Sequence, residues 1–529
     1  MGVADEPRGM WRRIGAGALR VLAWFLVWLG LVLLAAALDI RHVWGDVNID
    51  QMLTNLVGVQ GDGGGGALVP QAIWWIAVVP TLATALLIAA RWWWKRRRTA
   101  PGRTLRWAEP VAAVVLVAAV MVTGSTAFSR TTGLPSYVRA MTSDLDLGAY
   151  NRTPQLSADG KPLNVVIIYL ESGEAKLSDT SLFEKDMFAP LEDATRGWAQ
   201  IDKYAMYEGG GWTMAGIGST QCGIPLRGKT AATGDSIMNE LSDTHQDTYM
   251  PGQTCLGDVL KAHGYTSEFL GGANGGFAAK DVFLRTHGYD EEKDLDTWKA
   301  MGDGGSDLRP DWGLSDQKLM EHAKDEVTAM HDASAKTGKP FNLSMLTLDT
   351  HEPVHVYPYC DVDTKDALAS VWACSSQQVA GFIDYMRKKD YLKDTAVIVM
   401  GDHLKHMGGG DEYHEQLDGR TDRTIFNRIW IPGTADGVTP LGKPRDIDQL
   451  GMYATILDAV GLSPKDHWAG AGISAFAPSI PADAAQSLPA DQYKELLDAR
   501  SGNFYRQVWT DPAARTAPAS QGAPSPNAP

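Results

Sequence analysis

The sequence predicts a block of N-terminal transmembrane helices followed by an α/β domain with a mostly parallel central sheet flanked by helices. Three long, uncharged apolar runs lie within the first 128 residues. Beyond them, apolar runs of strand length alternate with helical patterns, which is typical of a parallel sheet covered by helices. The chain of 529 residues is also too long for one ordinary domain.

The apolar runs cover residues 21–38, 68–90 and 110–128. Each is long enough to cross a hydrocarbon core of ~30 Å as a helix. A cleaved signal peptide would explain only the first run, and a buried core helix is a weak explanation for three such runs in succession. We therefore assign residues 1–128 to a membrane domain with about three transmembrane helices.

Basic residues are placed unevenly around these runs. Four Arg residues precede the first run and seven Lys or Arg residues separate the second from the third, whereas residues 39–69 contain one Arg. The positive-inside rule then puts the N-terminus and the 91–106 loop in the cytoplasm. Three crossings leave everything after residue 128 on the far side of the membrane.

The overall charge argues against nucleic acid as a partner. The chain has 48 Lys and Arg residues against 63 Asp and Glu residues, a net charge of −15, and its pI is about 5.3. It contains no basic arm or stripe beyond the membrane block. The bilayer itself is the partner that the first 128 residues predict.

All four cysteines lie in the external part of the chain: Cys222, Cys255, Cys360 and Cys374. An even number in an oxidising compartment suggests two disulfides, for which three pairings exist. We favour Cys222–Cys255 and Cys360–Cys374, because these pairs close short, local loops. The alternative, a zinc site, lacks the closely spaced cysteine pair that such sites use.

Candidate ligands follow three strand-like runs. Asn164–Leu170 reads NVVIIYL and precedes Glu171, the run 341–348 precedes Asp349 and His351, and the run 396–400 precedes Asp402 and His403. Because the carboxyl ends of parallel strands meet at one edge of a sheet, we expect these side chains to converge. Glu171 alone could equally be a solvated carboxylate at a strand end, but the set suits Zn²⁺, Mn²⁺ or Mg²⁺.

Thr213 follows a glycine triplet at 209–211 and opens a short predicted helix that Pro225 should end. Two interpretations exist for its hydroxyl. It can cap the helix, which is the common role of Thr at such a position. It can also be a nucleophile for a phosphorus ester, if a metal ion lowers its pKa.

A second glycine-rich loop covers residues 271–276 and is followed by Lys280, Arg285 and His287. Basic groups beside such a loop suit an anionic substrate. Solvation at the surface explains them equally well.

Taken together, these motifs resemble the sulfatase-like alkaline phosphatase superfamily. The resembling strings are TMAGIGSTQCGIPL, CLGDVLKAHGY, FAAKDVFLRTHGYD, TLDTHEP and GDHL, spread over about residues 164–462. Within it the chain is similar to membrane-anchored transferases: lipoteichoic acid synthases, lipid A phosphoethanolamine transferases, and phosphoglycerol transferases of Gram-negative bacteria that modify osmoregulated periplasmic glucans.

The resemblance implies a role for each matching residue. Glu171, Thr213, Asp402 and His403 would hold one divalent metal ion, Mn²⁺ or Zn²⁺ with Mg²⁺ as a further option, and Thr213 would be the nucleophile. His351 would contact phosphate or assist proton transfer.

Four further residues are candidates for binding substrate, because they match or adjoin the same motifs. These are Lys280, Trp212, Asp349 and His355. Two departures from the motifs of related enzymes argue against a Gram-positive-type polymerase and against a true sulfatase. Leu270 stands where lipoteichoic acid synthases have a His, and a Thr at 213 differs from the Cys or Ser from which true sulfatases mature their nucleophile.

The resemblance therefore implies transfer of phosphoglycerol from phosphatidylglycerol to periplasmic glucans through a covalent intermediate on Thr213. The protein would lie in a bacterial inner membrane, with its catalytic domain in the periplasm. A phosphoethanolamine transferase that acts on lipid A or another glycan is the first alternative. A non-catalytic, membrane-tethered protein that binds glucan or lipid is the second.

The expected boundaries complete the prediction. A linker would cover residues 129–160, the catalytic domain residues 161–482, and a C-terminal extension residues 483–529. The last part of that extension is rich in Ala, Pro and Ser, a composition typical of disorder.

Overall fold

The computed structural model describes residues 6–43, 45, 68–97, 105–157, 162–228, 248–408, 412–433 and 439–512. The chain divides into two compact units. One contains the long N-terminal helices together with residues 407–415, and the other contains an α/β domain built mainly from residues 139–406 and 416–529. The sequence also predicts a flexible external loop at the glycine-rich residues 61–66. That loop and the predicted disordered tail from residue 513 lie outside the described residues.

Three helices of the first unit are long and apolar enough to cross a membrane: Gly17–Val43, Pro70–Arg97 and Pro110–Thr131. Between 6 % and 22 % of their most apolar windows is buried, so a buried helical core does not explain them. This confirms the prediction of three apolar helices. The N-terminal helices are α1 (Glu6–Val43), α2 (Leu68–Ala72), a π-helical segment (Ile73–Val78), α3 (Val79–Arg97), α4 (Leu105–Thr131) and α5 (Leu134–Thr142).

Small residues let α1 and α4 approach closely. A Cβ atom on Gly124 would lie 2.1 Å from the carbonyl oxygen of Gly30, which only glycine at this position avoids. Across α1 and α3, the indole of Trp28 donates a hydrogen bond of 3.1 Å to the Thr81 hydroxyl. Both contacts are of the kind that joins helices in a membrane.

The α/β domain is built on a six-stranded sheet with the strand order β4-β3-β7-β1-β8-β9. All neighbours are parallel except β8 and β9, so the predicted mostly parallel sheet is confirmed. The strands of the domain are β1 (Asn164–Leu170), β2 (Tyr204–Ala205), β3 (Thr266–Gly271), β4 (Glu291–Lys293), β5 (Leu308–Arg309), β6 (Gly313–Leu314), β7 (Phe341–Leu346), β8 (Thr395–Gly401), β9 (Asn427–Trp430), β10 (Ile447–Asp448), β11 (Trp468–Ala469) and β12 (Gly472–Ile473).

Helices cover the sheet, and the central strands β1, β7 and β8 are buried along their whole length. This is why their sequences are continuous apolar runs instead of alternating ones. The helices of the domain are α6 (Ala189–Ala194), α7 (Thr213–Cys222), α8 (Leu256–Ala262), α9 (Lys280–Thr286), α10 (Leu295–Met301), α11 (Asp316–Thr337), α12 (Ala367–Lys388), α13 (His414–Leu417), α14 (Met452–Ala459), α15 (Ala490–Asp498) and α16 (Gly502–Val508).

The strand register places the carboxyl ends of the central strands side by side. Leu170 of β1 pairs with Gly401 of β8, and Tyr169 pairs with Leu346 of β7. The residues that follow these three strands therefore emerge at one edge of the sheet, as the sequence predicts.

The structure differs from three local predictions of the sequence: a helix over 446–460, a strand over 424–431 and a linker over 129–160. The helix expected over residues 446–460 begins only at Met452, because Ile447–Asp448 pairs with β2 and the Asp448 carboxylate caps a 3₁₀ turn at Leu450. The strand expected at 424–431 is shorter and antiparallel. Residues 134–149, expected to be linker, contain α5 and a 3₁₀ turn at Leu147–Ala149.

The cysteines form the disulfides Cys222–Cys255 and Cys360–Cys374, the pairing that the loop lengths favour. The first joins the end of α7 to the residue before α8. The His287 imidazole lies 3.7 Å from the Cys255 sulfur, but disulfide sulfurs are not thiolates, so this group is not a zinc site.

Candidate active site

Glu171, Asp402 and His403 meet at the carboxyl edge of the sheet, and each is at most 3 % exposed. One potential ligand atom from each lies within 4.8 Å of the others. The His403 Nε2 atom is 3.6 Å from Glu171 Oε1 and 3.6 Å from Asp402 Oδ2. We call these three residues the ligand cluster.

Thr213 is the first residue of α7, and its hydroxyl donates a hydrogen bond of 3.3 Å to Glu171 Oε2. The N-cap position itself belongs to Trp212, whose side chain makes no capping hydrogen bond. The hydroxyl of Thr213 therefore points to the ligand cluster instead of capping the helix. Of the two interpretations left open by the sequence, the geometry favours a functional hydroxyl.

Gly216 explains how α7 comes so close to the cluster. A Cβ atom at this position would lie 2.0 Å from the carbonyl oxygen of Asp402, well inside van der Waals contact. Only glycine lets the first turn of the helix rest on the backbone of Asp402. Gln449 supports the same carbonyl with a hydrogen bond of 2.8 Å.

The surrounding hydrogen bonds orient the ligand atoms. The Ser172 and His403 N–H groups both donate to Asp402 Oδ1 at 2.8 Å, which leaves Oδ2 buried without a hydrogen-bond partner among the described residues. The His403 Nδ1–H donates to the Leu404 carbonyl at 2.7 Å, so Nε2 is the ring nitrogen that faces the carboxylates. Ser172 donates to Glu171 Oε1 at 2.7 Å.

The charges at the cluster are strongly coupled. Burial raises the pKa of the Asp402 carboxyl, and the neighbouring Glu171 charge raises it further against the opposing effect of His403. Burial lowers the pKa of His403, but the two carboxylates outweigh it and the net shift is upward. Burial also raises the pKa of Glu171, yet His351, His403 and the Ser172 hydrogen bond bring it below its ordinary value.

The site combines two buried carboxylates, one of which has an oxygen without a hydrogen-bond partner among the described residues, with an imidazole nitrogen, and it is short of positive charge. A divalent cation supplies that charge, and carboxylate and imidazole are ligands that Zn²⁺ and Mn²⁺ accept. The residues present therefore fit a metal ion.

His351 lies on the loop after β7 and belongs to the same electrostatic neighbourhood, since a proton on its ring lowers the pKa of Glu171. Its Nδ1–H donates to the Glu352 carbonyl at 2.6 Å, and no hydrogen bond to its Nε2 is found among the described residues. Burial lowers the pKa of His351, so the imidazole is neutral at neutral pH. Its ring centroid lies 3.8 Å from that of Trp312.

Other predicted residues have different surroundings. The Asp349 carboxylate accepts hydrogen bonds from the Asp316 N–H and the Tyr359 hydroxyl, so its oxygens are used to support the loop. His355 packs edge-to-face on Tyr357, and its pKa responds to burial, Arg309 and Asp311 instead of to the cluster. Neither side chain joins the ligand cluster.

Lys280 is 4 % exposed, and its Nζ lies 5.9 Å from the Phe269 ring centroid. Its charge acts on the carboxyl of Glu292. Trp212 is partly buried beside Thr213. The roles of Lys280 and Trp212 in binding substrate remain predictions.

One residue near the cluster was not predicted. The His406 ring centroid lies 5.0 Å from that of His403, and burial together with His403 lowers the pKa of His406 to about 3. The signal was its position three residues after His403 in GDHLKH. The sequence does not predict the conformation of the loop after His403, so it could not show that His406 lies near the ligand cluster.

Comparison with known proteins agrees with this geometry. Residues 164–461, which include the whole ligand cluster and Thr213, match the sulfatase family. Phosphoglycerol transferase I of Escherichia coli O139:H28 is 30 % identical over 369 residues, which cover 68 % of this chain and 45 % of that protein. The same protein of Shigella boydii serotype 18 has the same identity and coverage.

The chain thus spans less than half the length of the curated relatives that it matches. Among solved structures, the lipoteichoic acid synthase LtaP of Listeria monocytogenes has a TM-score of 0.50 at 14 % identity, covering 67 % of this chain and 96 % of that one. This likeness supports the fold alone. Because the matched family region fills more than half of the chain and contains every residue of the ligand cluster, the chain belongs to the sulfatase family.

Proposed function

We propose that the protein is a membrane-anchored, metal-dependent phosphotransferase that moves phosphoglycerol from phosphatidylglycerol to a periplasmic glucan. The observation that carries this proposal is the hydrogen bond of the Thr213 hydroxyl to Glu171 inside the ligand cluster. The name of the 30 % identical relatives supports phosphoglycerol as the group transferred. Three membrane-spanning helices suit a lipid donor in the bacterial inner membrane, with the catalytic domain in the periplasm.

Glu171, Thr213, Asp402 and His403 would hold the divalent ion, either Mn²⁺ or Zn²⁺, with Mg²⁺ as a further option. When bound, such an ion lowers the pKa of a hydroxyl beside it and offsets negative charge on phosphoryl oxygens. The ligands must be deprotonated to bind it, so binding of the ion would release any proton held by His403 Nε2 or the Asp402 carboxyl.

In the first half of the reaction, Thr213 Oγ1 forms a bond to phosphorus and the bond from phosphorus to the diacylglycerol oxygen breaks. His351 Nε2 takes the Thr213 proton and passes it to the departing diacylglycerol oxygen. In the second half, a glucan hydroxyl attacks phosphorus, gives its proton to His351 Nε2, and Thr213 Oγ1 recovers a proton as it leaves. A neutral imidazole with its Nδ1–H engaged by Glu352 is suited to this shuttle.

The direct test uses the full-length protein in detergent with phosphatidylglycerol labelled in its glycerol headgroup. Thr213→Ala should lose transfer by about 10³-fold or more, because the group has no oxygen to which it can be attached. Mass spectrometry of the wild type without acceptor should find glycerophosphate on the peptide that contains Thr213. Normal transfer by Thr213→Ala would remove the covalent mechanism.

Metal removal gives a second, independent prediction. Dialysis against a chelator should abolish transfer, and Mn²⁺ or Zn²⁺ should restore it in the wild type. Asp402→Asn should bind the ion at least about 10-fold more weakly, since a ligand oxygen loses its charge. Calorimetric titration of the chelated protein with each metal measures this without relying on activity, and equal affinities of wild type and variant contradict the assignment.

The same assay separates the alternatives. If the protein transfers the headgroup of phosphatidylethanolamine and not that of phosphatidylglycerol, it is a phosphoethanolamine transferase that uses the same metal site and the same Thr213. Full biological function with Asp402→Asn would point to a non-catalytic binding protein.

A further inference from the structure

The hairpin β5–β6 lies against the loop that carries His351. Its strands pair Leu308 with Leu314 and Arg309 with Gly313, so Trp312 lies in the turn between them. The hairpin is fixed to the edge of the sheet, because the Leu314 N–H donates to the Gly272 carbonyl at 3.0 Å, directly after β3. A Cβ atom on Gly313 would lie 2.1 Å from that same carbonyl oxygen.

Arg309 clamps the backbone of the His351 loop. Its guanidinium donates to the carbonyl oxygens of His351 at 2.9 Å and Pro353 at 2.6 Å. Its charge is balanced by Asp311, with a contact of 2.7 Å, and its side chain is 0 % exposed. A buried guanidinium with fixed donors holds those carbonyls in one arrangement, because losing any of them would leave a buried charge unsatisfied.

Trp312 acts on the imidazole itself. The ring centroids of Trp312 and His351 lie 3.8 Å apart. The indole N–H of Trp312 donates at 3.2 Å to the Glu352 carbonyl, which also accepts the His351 Nδ1–H at 2.6 Å. One carbonyl thus receives both donors, and this fixes the position of the acceptor that sets the tautomer and orientation of His351.

We propose that Trp312 and Arg309 are positioning residues that hold the His351 imidazole with its Nε2 free for proton transfer. The proposal deepens the proposed function and rests on it where it assigns proton transfer to His351. Neither residue is assigned to contact the substrate; both act through the His351 loop.

The first test measures steady-state transfer by full-length Trp312→Ala and Trp312→Phe. Trp312→Ala should lower kcat by about 10- to 100-fold, the usual cost of losing a group that orients a catalytic residue, at an unchanged KM for phosphatidylglycerol. Trp312→Phe keeps an aromatic ring against His351 but lacks the indole N–H, so its kcat should fall between those of the wild type and Trp312→Ala. A raised KM at unchanged kcat would overturn the proposal, because Trp312 would then bind substrate directly.

The double variant with His351→Ala gives the sharpest outcome. If Trp312 acts through His351, Trp312→Ala should cost nothing further once the imidazole is gone. Losses that multiply would overturn the proposal. Bis(p-nitrophenyl) phosphate, whose leaving group needs no proton, should also show a smaller loss with Trp312→Ala than phosphatidylglycerol does.

Trp430 provides the matched control. Its indole N–H also donates to a backbone carbonyl, that of Leu392 at 2.8 Å, and its ring also contacts an aromatic neighbour. It pairs with Val397 near the start of β8, at the opposite end of the sheet from Asp402. Trp430→Ala should leave kcat and KM unchanged. If it lowers kcat as much as Trp312→Ala does, the effect of Trp312→Ala reflects the general loss of a tryptophan and not the positioning of His351.

A crystal structure of Trp312→Ala separates this proposal from the proposed function. The His351 ring should leave its present orientation in that variant, and an unmoved ring would overturn the positioning role. Wild-type protein that transfers no headgroup, combined with a displaced His351 in the variant, would remove the proposed function and keep the positioning role.

Discussion

At the scale of single residues, Gly216 lies so close to the Asp402 backbone that a Cβ atom there would be 2.0 Å from the Asp402 carbonyl oxygen. We predict that Gly216→Ala lowers the rate of transfer by about 10²-fold, because α7 must move away and a displacement of about 1 Å is that costly. Gly218→Ala in the same helix is the control, since its Cβ would meet only Leu226 at 3.8 Å. The measurement is the initial rate of headgroup transfer by each variant, and equal rates for Gly216→Ala and Gly218→Ala would contradict the prediction.

A second residue-scale prediction concerns pH and stability. Burial raises the pKa of the Glu292 carboxyl to about 7, well above its ordinary value of 4.5, with Asp281 and Asp294 adding to the shift and Lys280 opposing it. The folded protein therefore binds this proton more tightly than the unfolded chain does. Protonated Glu292 therefore contributes to the free energy of unfolding. This contribution is complete below pH 4.5 and is lost as the pH rises through about 7.

Glu292→Gln, which cannot ionise, should therefore be more stable than the wild type at pH 8 by about 1–3 kcal/mol and close to it at pH 4.5. Urea unfolding across that range measures the difference. The neighbouring, exposed Glu291 supplies the control variant Glu291→Gln, which should show no such trend. A constant difference between wild type and Glu292→Gln at all pH values would contradict the assignment.

At the scale of elements, buried ion pairs join the segments that follow β1 and β8. Arg423 donates two hydrogen bonds to the fully buried Glu174 carboxylate, at 2.8 and 2.5 Å, and a third to the Lys405 carbonyl. Lys405 in turn contacts the Glu352 carboxylate at 2.8 Å, beside His351. These contacts tie the loop after His403 to the loop that carries His351.

We predict that Arg423→Met destabilises the domain by about 3–5 kcal/mol, because it leaves Glu174 buried and unpaired. The double variant Arg423→Met with Glu174→Met should recover much of that loss. Lys443→Met, which breaks an exposed pair with Asp202, should change stability by less than about 1 kcal/mol. Denaturant midpoints give all three values, and an Arg423→Met midpoint equal to that of Lys443→Met would contradict the prediction.

The elements also show what a sequence can reveal. β1 was predicted to the residue, because NVVIIYL is an unbroken β-branched run between polar ends. The convergence of Glu171, Asp402 and His403 followed from their positions after β1 and β8, because parallel strands of one sheet end at the same edge. α12 was missed, although Leu368, Trp372 and Val379 belong to a helical stripe, because Ser and Cys residues interrupt its apolar pattern.

The supporting groups of the site could not be predicted for a different reason. Ser172, Thr347 and Thr350 are ordinary polar residues until distant strands supply their partners. Likewise, Arg309 donates to the carbonyl of His351, which lies 42 residues later in the chain, and no local sequence pattern predicts that hydrogen bond. Such partners are set by tertiary packing, which only coordinates reveal.

At the scale of the whole molecule, the distribution of basic residues predicts the topology. In intact spheroplasts, a membrane-impermeant maleimide should label Ala335→Cys, an exposed position on α11, and should not label Thr99→Cys in the basic loop. All four native cysteines are disulfide-bonded, so they do not compete for the reagent. Labelling of Thr99→Cys alone would invert the proposed topology.

The disulfide Cys222–Cys255 ties down the far end of the helix that begins with Thr213. A newly made chain still in a reducing cytosol lacks that tether. Under the proposed function and topology, we therefore expect headgroup cleavage to start only once the domain has been exported and oxidised. Recombinant production for any of these assays accordingly calls for secretion or an oxidising host.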